Sequence, residues 1–273
     1  MNPVQYQGSP GGGLGDTSRG NSSSIWCDCP WSEIQNGTKD GILVYDDFVA
    51  GPRVAAGAEA AYSGYAGGYR GFADTGGLVQ DALEWGGVLD LGSDGDNEGA
   101  SFRTASASFQ IARNQGKFWF ECRVKTNTIA DTKHGIIAGL MADNVLSATL
   151  PLTALGAIAD VDIVGFHRLE GDGDFFDCVY KAGGVAQVTV LADAVPIVAD
   201  TFVKLGMVFD PRTNILTFFR NGLKIANYTM ATAAGTDFPN DVRLGLVVAV
   251  LNATATAPGT TRIDWWRAAQ LAP

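Results

Sequence analysis

Between Phe202 and Tyr228 apolar and polar residues alternate through three runs, FVKLGMVFD, ILTFFR and LKIANY. Leu205, Met207 and Phe209 fall on one side of the first run, with the period of two that a half-buried strand requires. Asp210-Pro211-Arg212-Thr213-Asn214 supplies a turn, because proline presets φ and the aspartate can accept from downstream N–H groups. Asn221-Gly222 closes the next hairpin, since a tight two-residue turn needs positive φ at both positions. An unbroken register then sets Arg220 against Leu223, Phe218 against Ile225 and Leu216 against Asn227. The expected core face is Leu216, Phe218, Leu223 and Ile225. The other face, with Ile215, Phe219 and Tyr228, is a candidate interface.

The same period runs through the rest of the chain after residue 40. In KFWFECRVKT, Phe118, Phe120, Cys122 and Val124 face one way, and Trp119, Glu121 and Arg123 the other. Strands are expected at Gly41–Phe48, Gly87–Leu91, Ala100–Thr104, Phe109–Ala112, Gly135–Ala142, Val161–Arg168, Asp174–Lys181, Val185–Leu191, Val242–Leu251 and Thr260–Arg267. About a dozen short strands with turn residues between them, no fixed repeat and no βα alternation predict an all-β fold. It should be a two-sheet antiparallel jelly-roll sandwich over residues 41–273, with 41–80 an irregular lead-in and 81–273 the core.

Residues 1–40 read differently. SPGGGLGDTSRGNSSS is a Gly/Ser tract, and the apolar cluster Ile25, Trp26, Cys27, Cys29, Pro30, Trp31 and Ile34 follows it. Tryptophans are costly to leave in water and are frequent interface anchors. An extended N-terminal arm is therefore expected, with Ile25, Trp26, Trp31 and Ile34 as its partner-binding anchors. They would dock either on this chain's own sheet or on a neighbouring subunit. The Gly/Ala-rich stretch 51–77 carries Tyr62, Tyr65, Tyr69 and Phe72, which suit either an irregular connection or a platform for sugar rings.

A formal charge of −10 opposes nucleic acid or an anionic membrane as partner. Neither a signal-peptide pattern nor a span of about 20 apolar residues is visible, so folding in a cytoplasm is expected. The four cysteines, Cys27, Cys29, Cys122 and Cys178, read as reduced thiols. CxC alone is a poor zinc signature.

Candidate chemistry is sparse. Two carboxylates flanking a glycosidic bond at about 5–5.5 Å would fit a retaining glycanase. Glu121 lacks such a neighbour on its strand, and Asp160, Asp162 and Glu170 are wrongly spaced. His134 and His167 stand in no nucleophilic constellation. The acidic loops with Asp94, Asp96 and Glu98, and with Glu170, Asp172 and Asp174, offer oxygens to Ca²⁺ but miss the EF-hand pattern, so they read as turns. The expectation is no enzyme, no cofactor and no metal.

DCVYK with its Gly-Gly turn (177–184), KLGMVFD (204–210), LTFFRNG (216–222) and the last strand RIDWW (262–266) carry a resemblance. This pattern resembles laminin-G-like, concanavalin-type jelly-roll domains over about residues 80–270. That fold serves lectins, glycanases and structural modules alike. With its arm, the chain also resembles virion proteins of tailed bacteriophages that decorate or cement the capsid. That likeness implies a location on the capsid exterior after synthesis in the host cytoplasm. It implies the major capsid protein as partner and self-association, a trimer favoured. The alternative it leaves is a carbohydrate-binding module of a phage fibre or head-surface protein, with a host glycan as partner.

Overall fold

A computed structural model describes residues 15–49, 58–62, 68–74, 77–82, 84, 87–131, 133–142, 150–154, 156–171, 173–230, 237–253 and 259–273. Two short helices come first, α1 (Ser23–Trp26) and α2 (Trp31–Gln35). The lead-in contains β1 (Gly41–Asp46), β2 (Ala58–Tyr62), β3 (Tyr69–Ala73) and β4 (Gly77–Asp81). Next are β5 (Leu89–Ser93), β6 (Gly99–Thr104), β7 (Phe118–Thr126), β8 (His134–Ala142) and β9 (Ile163–Arg168). The chain continues through β10 (Phe175–Lys181), β11 (Val188–Pro196), β12 (Val203–Asp210) and β13 (Ile215–Arg220). It closes with β14 (Leu223–Thr229), β15 (Leu244–Asn252) and β16 (Thr260–Leu271).

These strands form two antiparallel sheets. The first runs β14-β13-β12-β7-β16-β5-β4, with β1 also on β16; the second runs β11-β10-β9-β8-β15-β6-β3-β2. Alternation decides what lies between them. Phe118, Phe120, Cys122 and Val124 point inward from β7, Leu205, Met207 and Phe209 from β12, and Leu246, Val248 and Val250 from β15. Apolar burial of this kind stabilises by roughly 25 cal/mol per Å² removed from water. One end of the core is aromatic: Phe102 stacks on Trp266 at 5.3 Å, and Phe48 and Tyr69 pack against both rings.

Three sequence expectations need correction. The segment 41–80 is not irregular, since four strands begin in it and β3 joins β6 in the second sheet. Phe109–Ala112 is not a strand; Phe109 makes only an isolated bridge to Leu244. The hairpin β13-β14 keeps Arg220 opposite Leu223, but Phe218 pairs with Ala226 and Leu216 with Tyr228, because the register shifts after Phe218. β14 ends its sheet, so an extra residue disturbs one ladder and not two. Tyr228 consequently packs inward, 4.6 Å from Tyr180 and 5.5 Å from Phe238, while Leu223 is left 44% exposed. Tyr228 therefore leaves the proposed interface face, and Ile215 and Phe219 remain on it.

Candidate functional site

The outer face of the first sheet carries Trp119, Glu121 and Arg123 from β7, Lys204 and Val208 from β12, and Trp265 and Asp264 from β16. Asp264 lies at a register shift between Ile263 and Trp265, and a bulge of this sort re-aims the side chain it displaces. Glu121, Lys204 and Asp264 are all buried, although they belong to a face that a bare sandwich would leave in water. The N-terminal arm covers them.

Each buried charge is met by a group from the arm. The Ser22 N–H and the Trp26 indole N–H donate to Glu121 Oε2 at 3.0 and 2.8 Å. The Lys204 ammonium donates to the Asp16 carboxylate at 2.9 Å and to the Gly20 carbonyl at 2.8 Å. The Arg19 guanidinium reaches Asp264 at 2.8 Å, and Arg123 holds the other oxygen at 2.5 Å. Trp265 donates its indole N–H to the Arg19 carbonyl at 2.7 Å. At the next step of the arm, Asp28 accepts from Trp119 Nε1 at 2.9 Å and pairs with Lys117. A buried charge left unpaired costs several kcal/mol, so these pairings largely decide whether the arm stays down.

Electrostatics reflect that geometry. Burial raises the Glu121 carboxyl above its ordinary range, and the bonds from Ser22 and Trp26 and the nearby Lys204 offset only part of this. Burial also pushes Asp16 and Asp28 upward, but hydrogen bonds from Lys204 and Ser18 to the first and from Lys117 and Trp119 to the second, with the charges of the two lysines, together outweigh it and leave both lowered.

Apolar contacts complete the seat. Ile25, Trp26 and Ile34 are buried against Trp119 and Ala269, with Trp31, Leu43, Val208, Phe219 and Leu271 packed around them. Trp31 is half-buried; it meets Trp26 edge-on at 5.3 Å and Tyr45 at 6.4 Å, and Arg267 lies over both its ring and Tyr45. Gly206 has a specific reason here: a Cβ on it would collide with the Ile25 Cδ1 atom. Asn221 and Gly222 have φ of 48° and 76°, the geometry of the tight turn, and the Asn221 carbonyl accepts from Asp16 N–H. The hairpin tip thus also meets the arm.

The structure brings Ile25, Trp26, Trp31 and Ile34 together on this chain's own sheet, with Phe219 at the margin. Ile215 and Phe219 line a neighbouring groove of about 280 Å³, rimmed by Asp28, Asp210, Lys224 and Asn227. Glu121, Lys204, Asp264 and Arg19 were missed as arm contacts. Glu121 and Lys204 sit at alternating positions of their strands and Asp264 beside two tryptophans, and nothing local marks them as contacts of a distant segment.

Elsewhere the candidates are absorbed structurally. His134 is buried, 2.8 Å from the Thr126 hydroxyl, and burial followed by nearby Arg168 lowers it to about 3. His167 Nε2 lies 2.7 Å from the Gly156 carbonyl. All four cysteines are free; burial, then Asp28 and Glu33, raise the Cys29 thiol to about 12. Among the described residues no group of three or more His, Cys, Asp or Glu is placed to hold a metal ion, and no helix is long and apolar enough to cross a membrane. Asp172 and Tyr65 lie outside the described residues, as do the side chain of Tyr62 and most of the 51–77 stretch.

Beyond the first sheet's seat, Glu84 bridges Lys125 and Arg262 at 2.9 and 2.7 Å, closing the far end of the same face. On the second sheet, Leu150, Leu152, Ile158 and Val161 pack over Ile137, Val179, Val247 and Ala249. Segments of this chain therefore cover the middle of each outer face, while the β13-β14 part of the first face stays open.

This architecture is that of a concanavalin-like jelly-roll sandwich. No family model matches the sequence, and no curated protein matches it. Solved structures do. A Bacteroides ovatus mixed-linkage-glucan GH16 structure with bound product has a TM-score of 0.53 at 11% identity, covering 82% of this chain and 99% of that one. An endo-1,3-β-glucanase from Streptomyces sioyaensis has a TM-score of 0.51 at 14% identity, covering 85% and 97%. A protein of unknown function from Shewanella oneidensis has a TM-score of 0.51 at 11% identity, covering 89% and 94%. These likenesses are of fold. They correct one expectation: most of the similar structures are endo-glucanases, so the missing carboxylate spacing does not exclude an enzyme. Non-enzymes share the fold as well.

Proposed function

We propose that this chain is a structural virion protein, a decoration or cement protein seated on the outer face of a tailed-phage capsid. The observation that supports this reading is the cover laid over the middle of both outer faces, by the arm on one side and by Leu150, Leu152, Ile158 and Val161 on the other. A sandwich covered in this way leaves mainly edges, rims and its arm to partners, which suits lateral packing against the major capsid protein and further copies of itself. Quantitative mass spectrometry of washed virions tests it. The chain should appear in fixed ratio to the major capsid protein, and its absence from particles that retain every other head protein overturns the reading.

A second reading, a glycan-binding domain of a fibre or head-surface protein, is favoured by the 280 Å³ groove beside the arm. Its apolar floor of Ile215 and Phe219 and its rim of Asp210, Lys224 and Asn227 combine an aromatic surface with hydroxyl partners. Neighbours of this fold whose names refer to glucans and glucanases point the same way. Glycan-array binding that Phe219→Ala and Asn227→Ala abolish supports it; silence across host polysaccharides removes it.

A further inference from the structure

A second groove, of about 570 Å³, opens at the end of the sandwich where β1 begins and β16 finishes. Those two strands supply one part of its lining, the segment between β6 and β7 another, and Arg243, just ahead of β15, a third. It shares no residue with the groove beside the arm. Its size falls within the range of about 300–1,000 Å³ usual for small-molecule sites.

The frame of this groove is fixed by its own hydrogen bonds. The Gln270 amide is buried; its Oε1 accepts from Gln110 N–H at 3.0 Å, and its Nε2 donates to the carbonyls of Gln110 and Gly116 at 2.6 and 3.2 Å. Gln110 Nε2 donates in turn to the Asn240 carbonyl at 2.8 Å. The Ser108 and Phe109 N–H groups donate to the Leu244 carbonyl, and Ala272 N–H to the Asp40 carbonyl. A ligand would therefore meet a preformed site and would order little on binding.

On this frame stand polar groups that the fold does not use. Among the described residues the Ser106 and Ser108 hydroxyls, the Gln115 amide and the Arg243 guanidinium make no hydrogen bond or ion pair. Arg243 differs in this from Arg19, Lys117, Arg123, Lys125, Lys204 and Arg262, each of which holds a carboxylate. A guanidinium matches a carboxylate with two parallel bonds. Hydroxyls and carboxamides both donate and accept, as sugar hydroxyls do. Ile42, 40% exposed, adds an apolar patch for the C–H face of a ring. The net charge of −10 disfavours a densely charged polyanion, whereas a sugar acid carries one carboxylate per ring and makes its other contacts through hydroxyls.

We infer that this groove binds a short oligosaccharide containing uronic acid, with Arg243 taking the carboxylate and Ser106, Ser108 and Gln115 the hydroxyls. The site is separate from the Ile215–Phe219 groove, so it stands independently of both functional readings.

Nuclear magnetic resonance on the isotope-labelled full-length chain tests it. Trimers of galacturonate, glucuronate, mannuronate and guluronate are titrated to about 10 mM, where even a site of millimolar affinity fills. At least one trimer should shift the side-chain amide signals of Gln110 and Gln115 and the backbone signals of residues 106–110. Its methyl ester, which keeps the hydroxyls and loses the charge, should bind about tenfold more weakly. Arg243→Gln should bring the acid down to the level of the ester, and since Arg243 has no contact in the chain to lose, the melting temperature should stay unchanged. Absence of these shifts with all of the trimers overturns the inference. So does an ester that binds as well as the acid, or Arg243→Gln without effect. A Glu-rich hexapeptide that shifts the same signals at lower concentration overturns it in favour of an acidic-peptide site. Shifts confined to Ile215 and Phe219 overturn it as well, while supporting a glycan in the other groove.

Discussion

The indole N–H of Trp26 in the arm donates to the Glu121 carboxylate on β7 at 2.8 Å, and both residues are buried. One hydrogen bond therefore joins a buried aromatic anchor of the arm to a fully buried carboxylate of the sheet.

Trp26→Phe keeps a ring in the seat and deletes the donor. It should weaken docking by about 1–3 kcal/mol, the cost of leaving a buried acceptor short of a partner. Limited proteolysis within residues 27–40 should quicken, while circular dichroism of the sandwich stays unchanged.

Glu121 also sets a pH dependence. Its folded-state pKa is raised, so its contribution to stability is fully present below the unfolded carboxylate value, near 4.5, and is lost as pH rises through the folded value. Asp16 and Asp28 are lowered, so theirs is present above the unfolded value, near 3.8, and is lost as pH falls through the folded value. Arm docking should be tightest in mildly acidic solution and weaken on either side. Glu121→Gln should flatten the alkaline limb and leave the acid limb intact, as read by melting temperature against pH.

Gly206→Val places a branched side chain where Ile25 sits. Overpacking of this kind costs about 1–3 kcal/mol, and here the arm can yield while the core stays in place. Release of the arm at nearly unchanged sandwich stability is the expected outcome, measured by hydrogen exchange at residues 22–34.

Tyr228 reverses what unbroken alternation would suggest, while Ile215 keeps to it. Tyr228→Ala should destabilise the sandwich by about 3 kcal/mol, because its ring packs between Tyr180 and Phe238. Ile215→Ala, at the wall of the open groove, should change stability by less than about 1 kcal/mol. Denaturant midpoints of the two variants decide it.

The Asn221-Gly222 turn, the alternation of Phe118 to Val124 and the contrast between a Gly/Ser-rich arm and an all-β body were legible in the sequence. Each depends on neighbours along the chain, on φ preference and on a period of two. The shift after Phe218 was not legible, because alternation carries no mark of an inserted residue when the strand borders solvent. Reading Tyr228 as an outer residue followed directly from that.

The arm divides in the same way. Ile25, Trp26, Trp31 and Ile34 were readable as anchors from their composition alone, since so much apolar surface in a Gly/Ser-rich stretch needs somewhere to go. Where they go was set by residues far away in sequence. Glu121, Lys204 and Asp264 come from three strands, and only the order β12-β7-β16 makes them neighbours. By itself the sequence determined most strands of the sandwich after residue 80, the tight turns and an arm with something to bury. The tertiary structure decided that the arm buries it on this sheet, because a seat for charge exists only once the sheet is assembled.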